Sequence, residues 1–233
     1  MTAGPGKALE DLNARITTCR ACARLVAWRE EVAADPPKRF RGEAYWARPL
    51  PGFGDVEARI LVAGLAPAAH GGNRTGRVFT GDRSADWLFA AMYRAGLANQ
   101  PTSVHLGDGL TLRDAFVSAV VRCAPPQNKP TPAERDECIP YLARELELLP
   151  RTRVLVCLGS FAWDGTLRAL RVAGVETPRP KPRFGHRAEA SAGDYTLLGS
   201  FHPSQQNTFT GKLTEEMLDG VFERAKELAD ERP

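Results

Sequence analysis

Long apolar runs are missing from this sequence of 233 residues. No stretch approaches the roughly 18 apolar residues that a membrane helix needs. The opening residues, MTAGPGKALEDL, lack the apolar core of a signal peptide. There is also no internal repeat at the periods of solenoids or propellers. These absences predict a cytoplasmic protein that has no membrane partner.

A large excess of one charge is missing too, because the net charge is only +3. Positive charge is instead concentrated in residues 168–187, which carry six cations against the single acid Glu176. Prolines space these cations, a pattern that suits a loop in contact with a polyanion. A solvated surface loop explains the pattern equally well. Arg179, Lys181 and Arg183 are the candidate contacts.

Four short apolar runs are the candidate strands of the core. Their nearly continuous apolar character is typical of strands that are buried on both faces of a sheet. The runs are residues 60–65, 116–121, 154–158 and 195–198. Helical patterns lie between the runs, so the sequence predicts an α/β sandwich around a mostly parallel sheet. We expect one domain that spans residues 1–233.

Apolar side chains at helical spacing place helices between and after these strands. The predicted helices cover about residues 87–95, 139–149, 161–170 and 213–228. The second has the clearest start, with Thr131 as its N-cap, Pro132 at the first position and Glu134 closing a capping box.

Polar segments rich in glycine and proline follow three of the predicted strands directly. These segments are residues 66–82, 122–130 and 200–207. In open parallel sheets, ligands bind beyond the carboxyl ends of the strands. The sequence therefore predicts that three loops converge on a binding site at one edge of the sheet.

Four of the five cysteines fall into two pairs that suit metal binding. Cys19 and Cys22 form a C-x-x-C pair, and Cys123 and Cys138 flank a proline-rich loop of fourteen residues that could hold both near the first pair. Four thiolates suit either tetrahedral zinc or a [4Fe–4S] cluster, and the spacing does not choose between them. Cys157 lies inside a predicted strand and is expected to be a core residue.

Several separated motifs resemble those of the family 5 uracil-DNA glycosylases. They are GLAPA at 64–68, GRVFTGD at 76–82, VRCAPP at 121–126 and HPS at 202–204, and the four cysteine positions match the family pattern as well. The resemblance implies a three-layer α/β/α sandwich with a short, mostly parallel central sheet. It also implies a monomeric enzyme, associated with the nucleoid, that initiates base excision repair. Its substrate would be double-stranded DNA containing uracil or other deaminated bases, whose N-glycosidic bond it would hydrolyse.

The same resemblance implies a [4Fe–4S] cluster in place of zinc, bound by Cys19, Cys22, Cys123 and Cys138. The N-terminal segment and the loop at residues 123–138 would together form an iron–sulfur subregion. Because hydrolysis moves no electrons, the cluster is expected to be structural.

Four side chains in the motif loops fit the chemistry of removing a base that has been extruded from the duplex. Phe79 can stack on the base, or it can anchor its loop in the core. His202 can donate a hydrogen bond to a base oxygen as the base becomes anionic. Asp82 can hold the attacking water, cap the helix that begins near Ser84, or do both. Asn128 can read a base edge or orient water, or it can be a turn residue.

Two positions depart from the better-known uracil glycosylases, and family 5 shares both departures. Those relatives carry an acidic residue near positions 65–66, which leaves open whether Asp82 or backbone groups position the water here. They also carry an Asn where this sequence has Ala119. We expect Ala66 and Ala119 to line the base pocket with Phe79. Without a side-chain amide the pocket is wider, so hypoxanthine should be accepted beside uracil.

Two other classes of protein fit part of the pattern. One is an iron–sulfur or zinc enzyme that acts on a nucleotide or another small ligand in the same cleft. The other is a DNA-binding or redox-sensing module without glycosylase activity, which would bind duplexes without forming abasic sites. The trio of Phe79, Asp82 and His202 favours the glycosylase, because a sensor would not require it.

Overall fold

The predicted apolar runs form the centre of a six-stranded sheet in the computed structural model, which describes residues 4–231. The strands are β1 (Phe53–Gly54), β2 (Ile60–Gly64), β3 (Ala115–Ala119), β4 (Val154–Leu158), β5 (Glu189–Ala192) and β6 (Tyr195–Ser200). Their order is β1-β3-β2-β4-β6-β5, and the four central strands are parallel. Almost every residue of these four is buried, as predicted for strands covered on both faces.

The two edge strands were absent from the sequence prediction. β1 and β5 pair antiparallel with β3 and β6, have two and four residues, and are largely exposed or partly exposed. Neither has the continuous apolar run that identified the central strands. The predicted single domain of residues 1–233 also includes residues 1–3 and 232–233, which lie outside the described residues.

Helices cover both faces of the sheet. Between residues 4 and 231 they are α1 (Pro5–Thr17), α2 (Ala23–Ala34), α3 (Gly72–Thr75), α4 (Arg83–Arg94), α5 (Pro132–Leu148), α6 (Ser160–Val172), α7 (Gln205–Phe209) and α8 (Glu215–Asp230). Helices α1, α5 and α6 enclose one buried apolar cluster, and α4 and α8 enclose the other. The chain is thus a three-layer α/β/α sandwich, as predicted. No helix in the described part of the chain is long and apolar enough to cross a membrane.

Helix α5 starts at the predicted capping box. The Glu134 backbone N–H donates to the Thr131 hydroxyl oxygen, and the Glu134 carboxylate accepts from the Thr131 N–H. Arg24 adds two hydrogen bonds to the same carboxylate and so joins α2 to the start of α5. The C-terminal helix begins two residues later than predicted, at Glu215, because Leu213 is a buried residue before the N-cap.

The parallel strands end together at one edge of the sheet, which we call the carboxyl edge. Gly64 of β2 aligns with Ala119 of β3, and Leu158 of β4 aligns with Ser200 of β6. The polar segments that follow β2, β3 and β6 therefore leave from the same edge, as the sequence predicted. We call the opposite edge, where these strands begin, the amino edge.

A buried ion pair fixes the chain just beyond β3. Two guanidinium nitrogens of Arg122 donate to the two carboxylate oxygens of Glu145 on α5, at 2.9 and 2.6 Å. The same carboxylate accepts from the hydroxyl of Ser118 at 2.6 Å and from the N–H of Gly52 at 3.1 Å. Both charged side chains are almost fully buried, at 1% and 0% exposure. The Glu145 carboxylate thus accepts four hydrogen bonds, whereas the Nε of Arg122 has no partner. Because the carboxylate is satisfied from three separate segments, the pair specifies how α5 sits on the sheet.

We expect Glu145→Ala to lower the free energy of unfolding by about 3–5 kcal/mol, because Arg122 would be left buried without a counter-charge. Urea denaturation measures this change. Glu147→Ala, two residues along the same helix, removes only an exposed pair with Arg144 and should cost less than about 1 kcal/mol. Equal effects of the two substitutions would show that the buried pair does not hold α5 in place.

Candidate active site at the carboxyl edge

Phe79 is held in a strained position at the end of β2. Its φ angle is +49°, in the left-handed region that L residues other than Asn and Asp rarely adopt. Its ring lies against the Cα of Gly64, where any Cβ would overlap it. Only 9% of the residue is exposed. Strained backbone at a strand end is a common property of functional sites, and here it aims an aromatic ring along the carboxyl edge.

A buried polar network holds the Phe79 loop in this conformation. Arg77 donates to the Thr80 and Ser103 hydroxyls at 3.0 and 2.8 Å, and it pairs with Asp108 at 2.7 Å. The arginine and its acidic partner have side-chain exposures of only 6% and 7%. Burial alone would raise the pKa of Asp108. Hydrogen bonds from Arg77 and from the backbone N–H groups of Leu110 and Val104 outweigh this effect and lower the pKa, so the carboxylate stays charged.

His202 approaches Phe79 from the segment that follows β6. The two ring centroids are 5.9 Å apart, with 31° between the ring planes. The backbone carbonyl of His202 accepts a hydrogen bond from the Asn207 side chain at 2.9 Å, which fixes the turn. Burial lowers the pKa of His202 to about 4, so the imidazole is neutral at pH 7 and carries one N–H donor.

Asp82 caps α4 and lies three residues after Phe79. One carboxylate oxygen, Oδ1, accepts from the Ala85 backbone N–H at 3.0 Å, which confirms the predicted cap. The other, Oδ2, lies directly over Gly71, where a Cβ would overlap it. Burial raises the pKa of Asp82, although hydrogen bonds from the N–H groups of Ala85 and Ser84 oppose this. The carboxylate is thus desolvated but still placed by backbone donors.

The other predicted pocket residues occupy different environments. Ala119 is buried beside Gly64 at the end of β3, and Ala66 is partly buried in the segment after β2. Asn128 is exposed and lies with Gln127 in a turn where both have φ near +55°. The local structure of Asn128 is therefore that of a turn residue, and its role in catalysis stays a prediction.

The basic segment crosses from the amino edge toward the carboxyl edge. Arg179 is at the amino edge, where it lines a groove with the turn that precedes β6. Lys181 pairs with Asp164 on α6 at 2.9 Å. The indole of Trp163 holds the next turn of the segment by donating to the Pro182 carbonyl at 3.1 Å.

Beyond this point the segment reaches the site. The ring of Phe184 packs against that of Phe201 at a centroid distance of 6.4 Å, and Phe201 directly precedes His202. Exposed Arg183 thus lies nearer the site than Arg179 does. That Arg179, Lys181 and Arg183 contact a polyanion stays a prediction.

The four predicted cysteine ligands line a single cavity: Cys19, Cys22, Cys123 and Cys138. It lies where α1 and α2 meet α5 and the segment after β3. Burial raises the pKa of three of these thiols, those of Cys22, Cys123 and Cys138, to about 11. Within residues 4–231 no group of three or more His, Cys, Asp or Glu side chains is placed to hold a single metal ion. Cys157 is fully buried in β4, as expected of a core residue.

Arg29 is a buried cation beside this cavity that the sequence analysis did not single out. It is 2% exposed, and its guanidinium donates to the Cys123 sulfur at 3.0 Å and to the Cys19 carbonyl at 3.3 Å. Its Nε has no partner, and no carboxylate in the described part of the chain pairs with it. Nothing in the local sequence marks this residue, because its side-chain partner, Cys123, lies far along the chain. Gly71 was missed as well, although the Gly71-Gly72 doublet was a visible signal.

Comparison with known proteins decides the family. The sequence model of the uracil DNA glycosylase superfamily matches residues 51–226. The chain is 53% identical over 229 residues to a type-5 uracil-DNA glycosylase from Mycobacterium bovis, an alignment that covers 97% of this chain and 84% of the relative. It is 51% identical over 215 residues to one from Thermus thermophilus, covering 92% and 95%.

The chain belongs to the type-5 family of the uracil DNA glycosylase superfamily. A type-4 relative from Archaeoglobus fulgidus is only 35% identical over 184 residues, covering 78% of this chain and 83% of the relative. The family resemblance drawn from the sequence motifs is therefore confirmed. Within this type-5 chain, Phe79, Asp82 and His202 come from two of the segments that meet at the carboxyl edge.

The neutral state of the partly buried His202 should make stability depend on pH. Its folded pKa of about 4 lies below the value of about 6.5 expected when unfolded, so between these values the unfolded chain binds the proton and the folded protein does not. Stability is thus retained above pH 6.5 and falls as the pH falls. From pH 7 to pH 5 this one group should cost on the order of 2 kcal/mol.

Urea denaturation at pH 7, 6 and 5, with His202→Gln as the comparison, measures the effect. The variant should lose less stability than the native protein over this range. His70 and His186 remain in both proteins, so their contributions cancel. Parallel pH curves would show that His202 is not buried in a neutral form.

Proposed function

We propose that this chain is a DNA glycosylase that hydrolyses the N-glycosidic bond of uracil and related deaminated bases. The observation that supports it most is the convergence at the carboxyl edge of an aromatic ring, a neutral imidazole and a desolvated carboxylate. The first two, Phe79 and His202, lie with their ring centroids 5.9 Å apart. Those three groups meet the separate needs of base removal, which are to hold an extruded base, stabilise its departure and direct water.

Phe79 supplies the surface on which the extruded base stacks. A ring with two rotatable bonds, fixed by a strained backbone, loses little entropy when a base binds against it. Gly64 leaves room for the ring, and the Arg77 network prevents the loop from relaxing. The platform is therefore formed before substrate arrives.

His202 stabilises the leaving base. When the bond between the base nitrogen and C1′ of the sugar breaks, its electron pair stays with the base, and negative charge develops on the base oxygens. A neutral imidazole N–H donates a hydrogen bond to such an oxygen without giving up its proton. Because the pKa of His202 is about 4, the ring is in this form at physiological pH.

Asp82 positions the water that attacks C1′. As the water oxygen bonds to C1′, one of its protons passes to the carboxylate, whose affinity for protons is increased by burial. The negative carboxylate also stabilises the positive charge that develops on the sugar. The proton is then released to solvent, and the departed base anion takes up another.

The base preference follows from what β3 lacks at its end. Ala119 offers no amide to pair with one base edge, so the pocket imposes no hydrogen-bond pattern that only uracil satisfies. We infer that hypoxanthine is also accepted. It should be removed fastest where its pairing with the opposite base in the duplex is weak. This breadth is tested by measuring single-turnover cleavage rates on substrates that contain either hypoxanthine or uracil, each placed opposite several bases.

The function itself is tested by single-turnover cleavage of a uracil-containing duplex, with alkali used to break the resulting abasic site. Asp82→Ala should be slower by roughly 10²-fold or more, the scale of one lost electrostatic or general-base group. Gly71→Ala keeps the Asp82 side chain but puts a Cβ where its Oδ2 lies, so the carboxylate must shift. Cleavage should therefore slow by roughly tenfold or more.

Gly220→Ala is the matched control, because its added Cβ on α8 meets its nearest atom only at 4.0 Å. It should cleave like the native protein. Native protein that binds the duplex but forms no abasic sites would instead support a DNA-binding module. If Asp82→Ala cleaves normally, backbone groups near Ala66 hold the water.

We also infer that the cysteine cavity holds a [4Fe–4S] cluster, ligated by Cys19, Cys22, Cys123 and Cys138. The four cysteines line one cavity, and thiolates are the ligands that bind such clusters. A cluster with four thiolates is an anion, and Arg29 is a buried cation without a carboxylate partner beside the cavity. Such a cluster would supply a structural link between the N-terminal helices and α5.

Purified protein should therefore be brown and contain iron, and Arg29→Gln should lose iron to a chelator roughly tenfold faster, the scale of a lost partner of a metal ligand. Visible absorbance follows the loss without reference to activity. Arg29→Lys, which keeps the charge, should lose iron at a rate between those of Arg29→Gln and the native protein.

Cys157→Ser, at a buried cysteine outside the cavity, is the control and should keep the native iron content. Colourless protein prepared without oxygen and containing stoichiometric zinc would exclude the cluster. Equal iron loss from Arg29→Gln and the native protein would exclude a role for the arginine.

A further inference from the structure

A groove lies at the amino edge of the sheet, opposite the candidate active site. Its volume is about 840 Å³, which is within the roughly 300–1,000 Å³ of ligand-binding pockets. One wall is formed by residues 191–193, at the end of β5 and the turn that follows it. The other wall is formed by Arg171 near the end of α6 and by residues 174–179. The groove is therefore a candidate binding site separate from the proposed chemistry.

Contacts within the chain hold the two walls in place. The Nε of Arg171 donates to the Thr177 hydroxyl at 2.6 Å. The Val175 N–H donates to the Leu170 carbonyl at 2.9 Å, which fastens the segment to the end of α6. A methyl group of Val175 lies against Gly193, where an added Cβ would meet it at 2.8 Å. The two walls thus contact each other, so the protein itself sets the shape of the groove.

Strand β5 brings an unpaired backbone edge to the groove. Hydrogen-bonded and non-hydrogen-bonded pairs alternate along an antiparallel ladder such as that of β5 and β6. Gly199 accepts from the Arg187 N–H at 2.7 Å and donates to the Ala188 carbonyl at 2.8 Å. By this alternation, Glu189 and Ser191 direct their backbone N–H and C=O groups away from β6. Among the described residues, nothing bonds to these outward groups.

Two arginines give the groove a positive charge. Arg171 and Arg179 line it and are exposed, and Glu176 is the one acid among the residues that line it. Within residues 4–231, neither arginine has a carboxylate at salt-bridge distance. The salt bridges of α6 and of the segment after it use Arg168 and Lys181 instead. This unneutralised charge favours a negatively charged ligand.

We propose that the groove binds an extended acidic peptide of another protein, which adds to the outer edge of β5 as a further strand. The backbone groups of Glu189 and Ser191 bond to the peptide backbone, and its acidic side chains pair with Arg171 and Arg179. DNA fits less well, because it has no row of N–H and C=O groups at strand spacing. A second copy of this chain also fits less well, because two positive grooves would meet.

The probe for this site is a labelled eight-residue peptide in which glutamate alternates with valine. Fluorescence anisotropy should show that it binds roughly tenfold more tightly than the same peptide with lysine in place of glutamate. Arg179→Gln should weaken binding of the glutamate peptide by roughly tenfold, the scale of one lost charge-assisted hydrogen bond. Arg183→Gln is the matched control, because Arg183 is an exposed cation of the same segment outside the groove. It should bind the peptide like the native protein.

The backbone contact is tested at Ser191. Ser191→Pro removes the outward N–H without removing a bond to β6, and proline is tolerated at such positions of edge strands. It should weaken peptide binding by roughly fivefold or more, the scale of one lost hydrogen bond. Ser191→Ala keeps the N–H and should bind the peptide like the native protein. Urea denaturation checks that both variants fold.

Hydrogen exchange in the native protein tests the same contact without a substitution. The peptide should slow exchange of the Ser191 amide, which is unpaired in the free protein. The proposal is overturned if the peptide does not protect this amide, or if the glutamate and lysine peptides bind equally. Equal losses of peptide affinity in Arg179→Gln and Arg183→Gln would overturn it as well.

Two further results would assign the groove to a different partner and so contradict the proposal. If Arg179→Gln weakens binding of a uracil-free duplex but not of the peptide, the groove binds DNA. If the native protein sediments as a dimer and Ser191→Pro sediments as a monomer, β5 pairs with a second copy of the chain. None of these measurements depends on cleavage of uracil, so a failure of the proposed glycosylase function is a separate outcome.

Discussion

The buried ion pair between Arg122 and Glu145 is the interaction on which the two functional regions both depend. Arg122 follows β3, whose last residue is Ala119 at the carboxyl edge, and it precedes Cys123 in the cysteine cavity. Its partner lies on α5, the helix that also carries Cys138. One salt bridge thus fixes the floor of the active site relative to two of the cysteines. Replacing it by apolar side chains could preserve stability, but not this register.

The three candidate site residues are each held in a state that the residue would not adopt in water. Phe79 is held at a positive φ, His202 is kept neutral and Asp82 is desolvated. Each of these states costs folding free energy, which the two apolar clusters on either side of the sheet offset. The arrangement is preorganised, since none of these groups must move out of water when a base arrives.

The features that the sequence predicted best are those that local sequence patterns determine. The central strands, the capping box at Thr131 and the edge at which the loops meet follow from apolar periodicity and turn chemistry. Arg29 and Asp108 could not be found in this way, because each acquires its role from a partner far away in the chain. Charge composition identified Arg179 and Arg183 as cations of one segment, but it could not predict that Arg179 lies at the amino edge.

The order of strands in the sheet has a consequence for synthesis on the ribosome. β2 is made early and lies in the middle of the sheet, but β6, which presents His202, is the last parallel strand to be made. The face of β6 is covered by α8, which follows it in the chain. A nascent chain therefore contains Phe79 and Asp82 long before it contains His202, whose ring lies beside Phe79. The candidate site is therefore completed in a single late step, and partly translated chains lack one of its three side chains.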